Sequence, residues 1–227
     1  MAVDAAGNIY VADFNNNEIR KIAPAGVVTS LFNVAGPCGV TLDTSGNFYV
    51  VTEVSSGFCQ IADRVFKITP VGVSTSLYSF SSTFFPAIAV DTAGNVYITN
   101  GYDIQKITPS GVVTILAGSG GPGTADGTGS AASFNAPAGR AVDPEGNVYV
   151  ADLANNEIRK ITPAGCVTTL VGNLNAGSFT GSLPGYLGQP LSVALSPPDK
   201  FGNWNMVIST QNLITEILCA STASHEN

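Results

Sequence analysis

Five oxygen-bearing side chains recur at one position of a repeated pattern in this 227-residue chain. Each ends the same kind of apolar run, and the residues are Asp13, Thr52, Asn100, Asp152 and Thr210. Carboxylate, amide and hydroxyl oxygens bind hard cations, so the set predicts Ca²⁺ as the cofactor that the chain could hold. Asp13 and Asp152 are also candidate ligand-binding residues. The alternative is structural, with both carboxylates accepting hydrogen bonds from the loops that follow them.

A second candidate is a charge at an otherwise apolar position. Arg140 stands where the other repeats carry aliphatic residues, namely Val40, Ile88 and Val193. A guanidinium removed from water needs a partner. Arg140 therefore predicts either a site for an anionic ligand or an internal ion pair with Asp152 or another carboxylate.

Nucleophilic and zinc chemistry lack their usual residues. The only histidine, His225, lies in the terminal tail, which excludes a Ser–His or Cys–His pair. No Cys and His spacing suits zinc. Acid–base chemistry would therefore depend on carboxylates or tyrosines.

The charge distribution excludes two classes of partner. The net charge is −7, and the basic residues occur as pairs inside repeats, such as Arg20 with Lys21, and not as a basic stripe. Nucleic acid and anionic membrane surfaces are therefore not expected partners. No apolar stretch approaches the roughly 18 residues of a membrane-spanning helix, and no signal segment is present in this chain.

Four cysteines allow three disulfide pairings. Cys38 and Cys59 belong to the same repeat and are expected on the same face, so a Cys38–Cys59 disulfide is the preferred pairing. Cys166 replaces a valine of other repeats and is expected to be a small buried apolar residue. A disulfide would indicate an oxidising compartment and hence a secreted or periplasmic protein.

These residues are positioned by an internal repeat, which predicts a single all-β domain over residues 1–227. Four copies are clear and a fifth is worn, at approximately 1–32, 37–77, 86–117, 137–172 and 190–227. Each copy contains short β-branched runs separated by Gly- and Pro-containing turns, which predicts four antiparallel strands, A to D. One such unit cannot bury its own faces and needs neighbours on both sides.

The repeat also separates two faces. Asp-x-x-Gly-Asn makes the A-to-B turn, on the face that we call the bottom, and its aspartates are expected to cap that turn. They are Asp4, Asp43, Asp91 and Asp143. The B-to-C and D-to-A loops lie on the opposite, top face, where differences between copies indicate function.

The pattern Pro-x-Gly-x-Ala-Val-Asp-x-x-Gly-Asn-x-Tyr-Val-Ala-Asp, followed by Ile-Arg-Lys-Ile, resembles the NHL repeat, and residues 137–161 match it almost throughout. The resemblance implies a β-propeller of four-stranded blades, most often six, that serves chiefly as a binding platform. Related propellers include lactonases and strictosidine-synthase-like enzymes with a divalent metal on the axis. A metal set of that kind resembles Glu53, Asn100 and Asp152 here.

Two long D-to-A connections, 118–136 and 172–189, complete the top face. The second contributes Phe179 and Tyr186 as candidate ligand-contacting aromatics, whereas the glycines at 118–121 lack the Lys of a phosphate cradle and are interpreted as a spacer. Five copies leave the ring five- or six-bladed, open, or completed by another chain, which would make a homo-oligomer through unclosed blade edges.

Two functions follow from these residues and repeats. The first is a binding or scaffold module whose top face recognises a protein, peptide or glycan. The alternative is a divalent-metal hydrolase or lyase, which requires Glu53, Asn100 and Asp152 to converge on the axis.

Overall fold

The short β-branched runs of each repeat form strands, and the Gly-containing segments between them form tight turns. The computed structural model describes residues 1–53, 55–56, 59–60, 63–80, 87–172, 189–196, 204–210 and 214–219. Within these residues each predicted repeat forms one antiparallel sheet, or blade, which confirms the expected all-β propeller architecture. No helix in this part of the chain is both long and apolar enough to span a bilayer.

The first three blades each contain four strands in meander order, and the bounds are as follows. Blade 1 consists of β1 (Ala2–Val3), β2 (Ile9–Asp13), β3 (Glu18–Ile22) and β4 (Val28–Asn33). Blade 2 consists of β5 (Pro37–Leu42), β6 (Phe48–Thr52), β9 (Asp63–Ile68) and β10 (Ser74–Phe80), with a hairpin of β7 (Ser55–Ser56) and β8 (Cys59–Gln60) between its middle strands. Blade 3 consists of β11 (Ile88–Val90), β12 (Val96–Asn100), β13 (Asp103–Ile107) and β14 (Val113–Ala117).

The last two blades depart from this plan. Blade 4 has a fifth strand at its outer edge and consists of β15 (Gly127–Thr128), β16 (Pro137–Val142), β17 (Val148–Asp152), β18 (Glu157–Ile161) and β19 (Cys166–Val171). Blade 5 is described for three strands, β20 (Pro190–Leu195), β21 (Trp204–Thr210) and β22 (Ile214–Cys219). Two short 3-10 turns, Gly129–Ala131 and Leu153–Asn155, flank blade 4 strands.

The A-to-B turns are built as the sequence predicts. Asp4 accepts hydrogen bonds from the amides of Ala6 and Asn8 at 2.9 Å each and from the Tyr10 hydroxyl at 2.8 Å. Gly7 adopts a φ of 78°, which a side-chain-bearing residue disfavours. The corresponding aspartates accept from the same Asn and Tyr positions, and they are Asp43, Asp91 and Asp143. Their role as turn caps is confirmed.

The apolar core lies between blades and not within them. One cluster packs Tyr10 and Ile19 of blade 1 against Val40 and Phe48 of blade 2. Equivalent clusters join blades 2 and 3, blades 3 and 4, and blades 4 and 5. Each blade therefore depends on its neighbours for burial, as expected for a repeat of this size.

The described sheets form an open propeller. Contacts between blades follow the chain from blade 1 to blade 5, and among the described strands no core cluster joins blade 5 to blade 1. Val3 in the innermost strand of blade 1 is 63% exposed. Of the ring arrangements that the sequence leaves possible, the described part of the chain shows the open one.

Candidate functional site

The most developed polar cluster lies at the top of blade 4. The Arg159 side chain, on β18, is fully buried and donates through Nη1 to Asp152 Oδ2 at 3.0 Å. Its Nη2 donates to Asp126 Oδ1 at 2.7 Å. Asp152 also accepts from the Asn135 amide at 2.7 Å and from Asn155 Nδ2 at 2.8 Å. Both Asp152 oxygens are thus bound by protein donors.

The pKa values of the three carboxylates around Arg159 shift in different directions. Burial raises the pKa of Asp152 and outweighs its hydrogen bonds. For Glu157, whose Oε2 lies 3.6 Å from Arg159 Nη1, burial likewise raises the pKa. For the half-exposed Asp126, the hydrogen bonds from Arg159 and Thr169 outweigh burial and lower the pKa. The guanidinium therefore lies within 3.6 Å of three carboxylates, of which Asp152 and Glu157 are buried and Asp126 is half-exposed.

The connection before blade 4 completes this cluster. We call residues 118–136 the strap. Its strand β15 pairs with β19 at the outer edge of the blade, and its Phe134 is fully buried with its ring centroid 5.2 Å from the Arg159 guanidinium carbon. Arg159 also donates to the strap carbonyls of Ala125 and Ser133, at 2.9 and 3.0 Å. From the sequence, the glycines at 118–121 are interpreted as a spacer. The sequence does not predict that the following part of the strap binds Arg159.

Blade 1 carries the same pair in a different setting. Arg20 Nη1 lies 3.4 Å from Asp13 Oδ2, and the two side chains are 39% and 21% exposed. Asp13 also accepts from Asn16 Nδ2 at 2.9 Å, and this bond is the main cause of its lowered pKa. The bonds of Asp13 and Asp152 to Asn16 and Asn155 match the structural alternative, in which the loop after each strand supplies the donor.

Arg140 is held by neutral groups. It is 6% exposed and donates to the Tyr97 carbonyl at 3.1 Å, to Thr99 Oγ1 at 2.8 Å and to the Ala138 carbonyl at 3.2 Å. Burial lowers its pKa to about 9. No carboxylate of the described residues pairs with it, so the internal ion pair with Asp152 is not the arrangement found. Arg140 instead bridges blades 3 and 4.

The predicted metal ligands lie at strand ends. Asp152 is committed to Arg159, while Glu53 and Asn100 are half-buried at the ends of β6 and β12. Over the described ranges, no group of three or more His, Cys, Asp or Glu side chains is arranged to hold a metal ion. The convergence of Glu53, Asn100 and Asp152 on a cation stays a prediction.

Several other predicted residues lie outside the described part of the chain. Phe179, Tyr186 and the side chain of Cys59 are among them. Cys38 Sγ lies 3.3 Å from the Val51 carbonyl, and burial together with Asp63 and Glu53 raises the pKa of the Cys38 thiol to about 12. The Cys38–Cys59 disulfide therefore stays a prediction.

Sequence reasoning missed two exposed features of blades 1 and 2. A groove of about 1070 Å³ opens on the bottom face between these blades, with Phe32, Phe48 and Leu42 among its apolar lining and Lys21 beside them. On the top face, Phe14 in the B-to-C turn of blade 1 is 43% exposed. The signal for Phe14 is available in the sequence, because the matching position of blade 4 carries Leu153.

Comparison with known proteins identifies the architecture. No family model matches the chain. Mouse teneurin-3 is 26% identical in an alignment of 218 positions that covers 71% of this chain and 8% of teneurin-3. An auxiliary nutrient binding protein from Bacteroides thetaiotaomicron has a TM-score of 0.64 at 21% identity, over 88% of this chain and 53% of that one. This chain thus spans about half the length of that protein and a small part of teneurin-3.

Two further solved structures are enzymes by name. Virginiamycin B lyase from Staphylococcus aureus has a TM-score of 0.57 at 17% identity, over 98% of this chain and 69% of the lyase. A gluconolactonase from Xanthomonas campestris has a TM-score of 0.65 at 12% identity, over 96% of this chain and 70% of that one. At these identities the likeness is one of fold alone, and the chain is similar to β-propeller proteins that bind ligands and to others that catalyse reactions.

Proposed function

We propose that this chain is a binding module, an NHL-repeat propeller that recognises a protein, peptide or glycan on its top face. The observation that carries the proposal is the state of Asp152, whose two oxygens accept from Asn135, Asn155 and Arg159. A carboxylate held in this way acts as scaffold, because a metal ion would have to displace a buried guanidinium from it. One of the three residues in the predicted metal set is thereby occupied.

The exposed aromatic of blade 1 supports a contact surface. Phe14 lies on the top face, where the residue is 43% exposed and its ring is adjacent to the loop at Gly36. Exposed aromatic side chains supply large contact areas in recognition surfaces. A likeness to a protein described as nutrient-binding is compatible with this function, whereas the likeness to a lyase and a lactonase is compatible with the alternative.

Thermal unfolding with and without EDTA, followed by addition of Ca²⁺, Mg²⁺ or Zn²⁺, separates binding from metal chemistry. A metal that binds only the folded state raises the melting temperature, and we expect no metal-specific rise. A Ca²⁺-dependent rise that Glu53→Gln or Asn100→Ala abolishes would overturn the proposal, since neither change touches the buried ion pair of blade 4.

A ligand screen on peptide and glycan arrays tests the binding function directly. We expect Phe14→Ala to weaken a specific hit about tenfold or more, which is the effect of losing one well-packed aromatic contact. Phe14→Leu, which introduces the residue found in blade 4, is the matched control and should retain more of the affinity. Binding that neither change affects would remove Phe14 from the recognition surface.

Residence in an oxidising compartment, secreted or periplasmic, belongs to the same proposal and depends on the Cys38–Cys59 disulfide. Mass spectrometry of the native protein after thiol alkylation tests it. A cross-linked peptide containing both cysteines is the expected result, and alkylation of both would contradict it.

A further inference from the structure

A groove of about 370 Å³ lies between blades 1 and 2, where β4 faces β9. We call it the β4–β9 groove. Its walls are mainly apolar and include Phe32 and Val34 from blade 1 and Phe66 and Ile68 from blade 2. Both blades are described over all four strands, so the groove lies at an interface with both partners present and not at the free face of blade 1.

The equivalent position between blades 3 and 4 is filled by the strap. Phe66 of blade 2 corresponds to Arg159 of blade 4, because each pairs with the third residue of strand B. The strap places Phe134 against Arg159, which is fully buried, whereas Phe66 is half-buried. Residues 118–136 connect β14 to β16, but only residues 34–36 connect β4 to β5. The groove is therefore open because the connection that enters blade 2 is too short to fill it.

One end of the groove contains a buried hydroxyl without a partner. Thr52, the last residue of β6, lines the groove and is 1% exposed, and its Oγ1 has no hydrogen-bond partner among the described residues. The corresponding Asp152 accepts from the strap amide of Asn135 at 2.7 Å. An unsatisfied buried polar group costs free energy, which a hydrogen bond from a bound molecule would recover.

A cation lies beside this hydroxyl. Arg64 of β9 is directly opposite Thr52 in the register of blade 2, lines the same groove and is exposed. The ion pairs of the described residues do not include Arg64. Directly opposed residues of neighbouring strands have Cβ atoms about 4.5–5.5 Å apart. A guanidinium and a hydroxyl therefore flank one end of an otherwise apolar groove.

We propose that the β4–β9 groove binds a small aromatic carboxylate. The ring of the ligand packs between Phe32 and Phe66, where aromatic side chains favour an aromatic partner. The carboxylate accepts from the Arg64 guanidinium, whose planar donors match both carboxylate oxygens. A polar group beside the ring forms a hydrogen bond with Thr52 Oγ1. The volume is within the range of small-molecule sites.

The strap supplies the same three kinds of group to blade 4. These are the Phe134 ring, the Asn135 amide and the Asp126 carboxylate, which bind Arg159 or Asp152. A separate molecule would take this place in blade 2. The groove does not include Phe14, so this proposal and the top-face recognition site can each fail without the other.

Two-dimensional amide NMR of the intact protein, titrated with N-acetyl-L-phenylalanine, tests the proposal. We expect saturable shifts at the amides of Ala35, Thr52 and Ser74, which line the groove, with a dissociation constant in the millimolar range or below. N-acetyl-L-phenylalaninamide, which lacks the carboxylate, should bind at least about tenfold more weakly. N-acetyl-L-alanine, which lacks the ring, should not saturate the groove.

Protein variants assign the contacts. Arg64→Gln should weaken binding of the acid at least about tenfold and leave binding of the amide unchanged. Arg20→Gln is the matched control, because it removes the same charge from a residue outside the groove, and it should retain the affinity. Thr52→Val should weaken binding about threefold or more without lowering the melting temperature, since it removes a hydroxyl that has no protein partner.

Three results would overturn the proposal. The first is the absence of saturable shifts at millimolar acid. The second is equal binding of the acid and the amide, or equal losses for Arg64→Gln and Arg20→Gln, because the carboxylate would then not be recognised by Arg64. The third is binding of a peptide that ends in phenylalanine without binding of the free acid, since the occupant would then be the end of another protein.

Discussion

Blades 1 and 4 carry nearly the same residues, Glu-Ile-Arg-Lys-Ile at 18–22 and at 157–161, and the same aspartate at the end of strand B. In blade 4 the Asp–Arg pair is fully buried at 3.0 Å, while in blade 1 it is partly exposed at 3.4 Å. Two coverings distinguish them: residues 118–136 bind the pair in blade 4, and blade 3 packs on the same face of that blade, whereas blade 1 packs only on blade 2 among the described blades. A repeat motif therefore specifies a strand pattern, and the segment packed on it decides whether a charged pair is core or surface.

The largest expected difference in stability between the two blades follows from replacing their arginines. Arg159→Gln should destabilise the protein by about 3–5 kcal/mol, because it leaves Asp152 buried without its cation. Arg20→Gln should cost less than about 1 kcal/mol, since the pair in blade 1 is partly exposed. Urea unfolding of both variants measures the difference. Equal losses would break the comparison, because the setting of the pair would then be irrelevant.

Matched valines test the apolar part of the same contact. Val167→Ala should destabilise the protein by about 2 kcal/mol, because this side chain is 1% exposed in the core cluster that blade 4 shares with blade 3 and the strap. Val28→Ala should stay within about 0.5 kcal/mol, because Val28 is 46% exposed. The same urea titrations apply. A loss at Val28 comparable to that at Val167 would indicate that blade 1 is already covered in solution.

The A-to-B turns are a control for the comparison, because substitutions there should destabilise blades 1 and 4 equally. Gly7 and Gly146 have φ values of 78° and 83°, and an added Cβ would lie 3.5 and 3.4 Å from the next turn's proline in each blade. Gly7→Ala and Gly146→Ala should each cost about 1 kcal/mol, because the strain is local. Thermal unfolding of the two variants should give similar shifts. Unequal shifts would show that the strap also influences the bottom face.

The smallest expected effect is the pH dependence of stability that comes from protonation of Asp13 and Asp152. The pKa of Asp13 is lowered by its Asn16 bond, so its stabilising contribution is present above the ordinary aspartate pKa and is lost as the pH falls through the lowered value. Burial raises the pKa of Asp152, so its contribution is fully present below the ordinary pKa and declines as the pH rises to the raised value.

NMR titration of the two carboxyl carbons measures this contrast. The Asp152 midpoint should lie above the ordinary aspartate value of about 3.9, and the Asp13 midpoint should lie below it. Midpoints on the same side of that value would mean that burial of the blade 4 pair has no electrostatic effect.

The sequence predicts the blades well, because one pattern is present in four clear copies and each copy brings its own turn chemistry. Asp4 and Gly7 illustrate this, since their partners lie within a few residues along the chain. The strap is not predicted, because its Asp126 binds Arg159 from a segment 33 residues away and its glycine-rich sequence carries no strand periodicity.

Arg140 combines a feature that the sequence predicts with one that it does not. Its unusual position is visible in the sequence, but its acceptors are the main-chain carbonyls of Tyr97 and Ala138 and the hydroxyl of Thr99. Every residue has a carbonyl, so composition cannot identify which ones will serve. A charge at an apolar position can therefore be recognised from the sequence, whereas a neutral partner cannot.

The bridge from Arg140 to blade 3 has a consequence for unfolding. In a repeat protein the stability of each unit depends on its interfaces with its neighbours, and a strong interface makes two units open together. Separation of blades 3 and 4 would break two hydrogen bonds of the buried Arg140 guanidinium together with the apolar core between these blades. Native-state hydrogen exchange should therefore show amides of β12 and β16 opening as one cooperative unit, while β1 and β4 at the open end exchange by independent fraying.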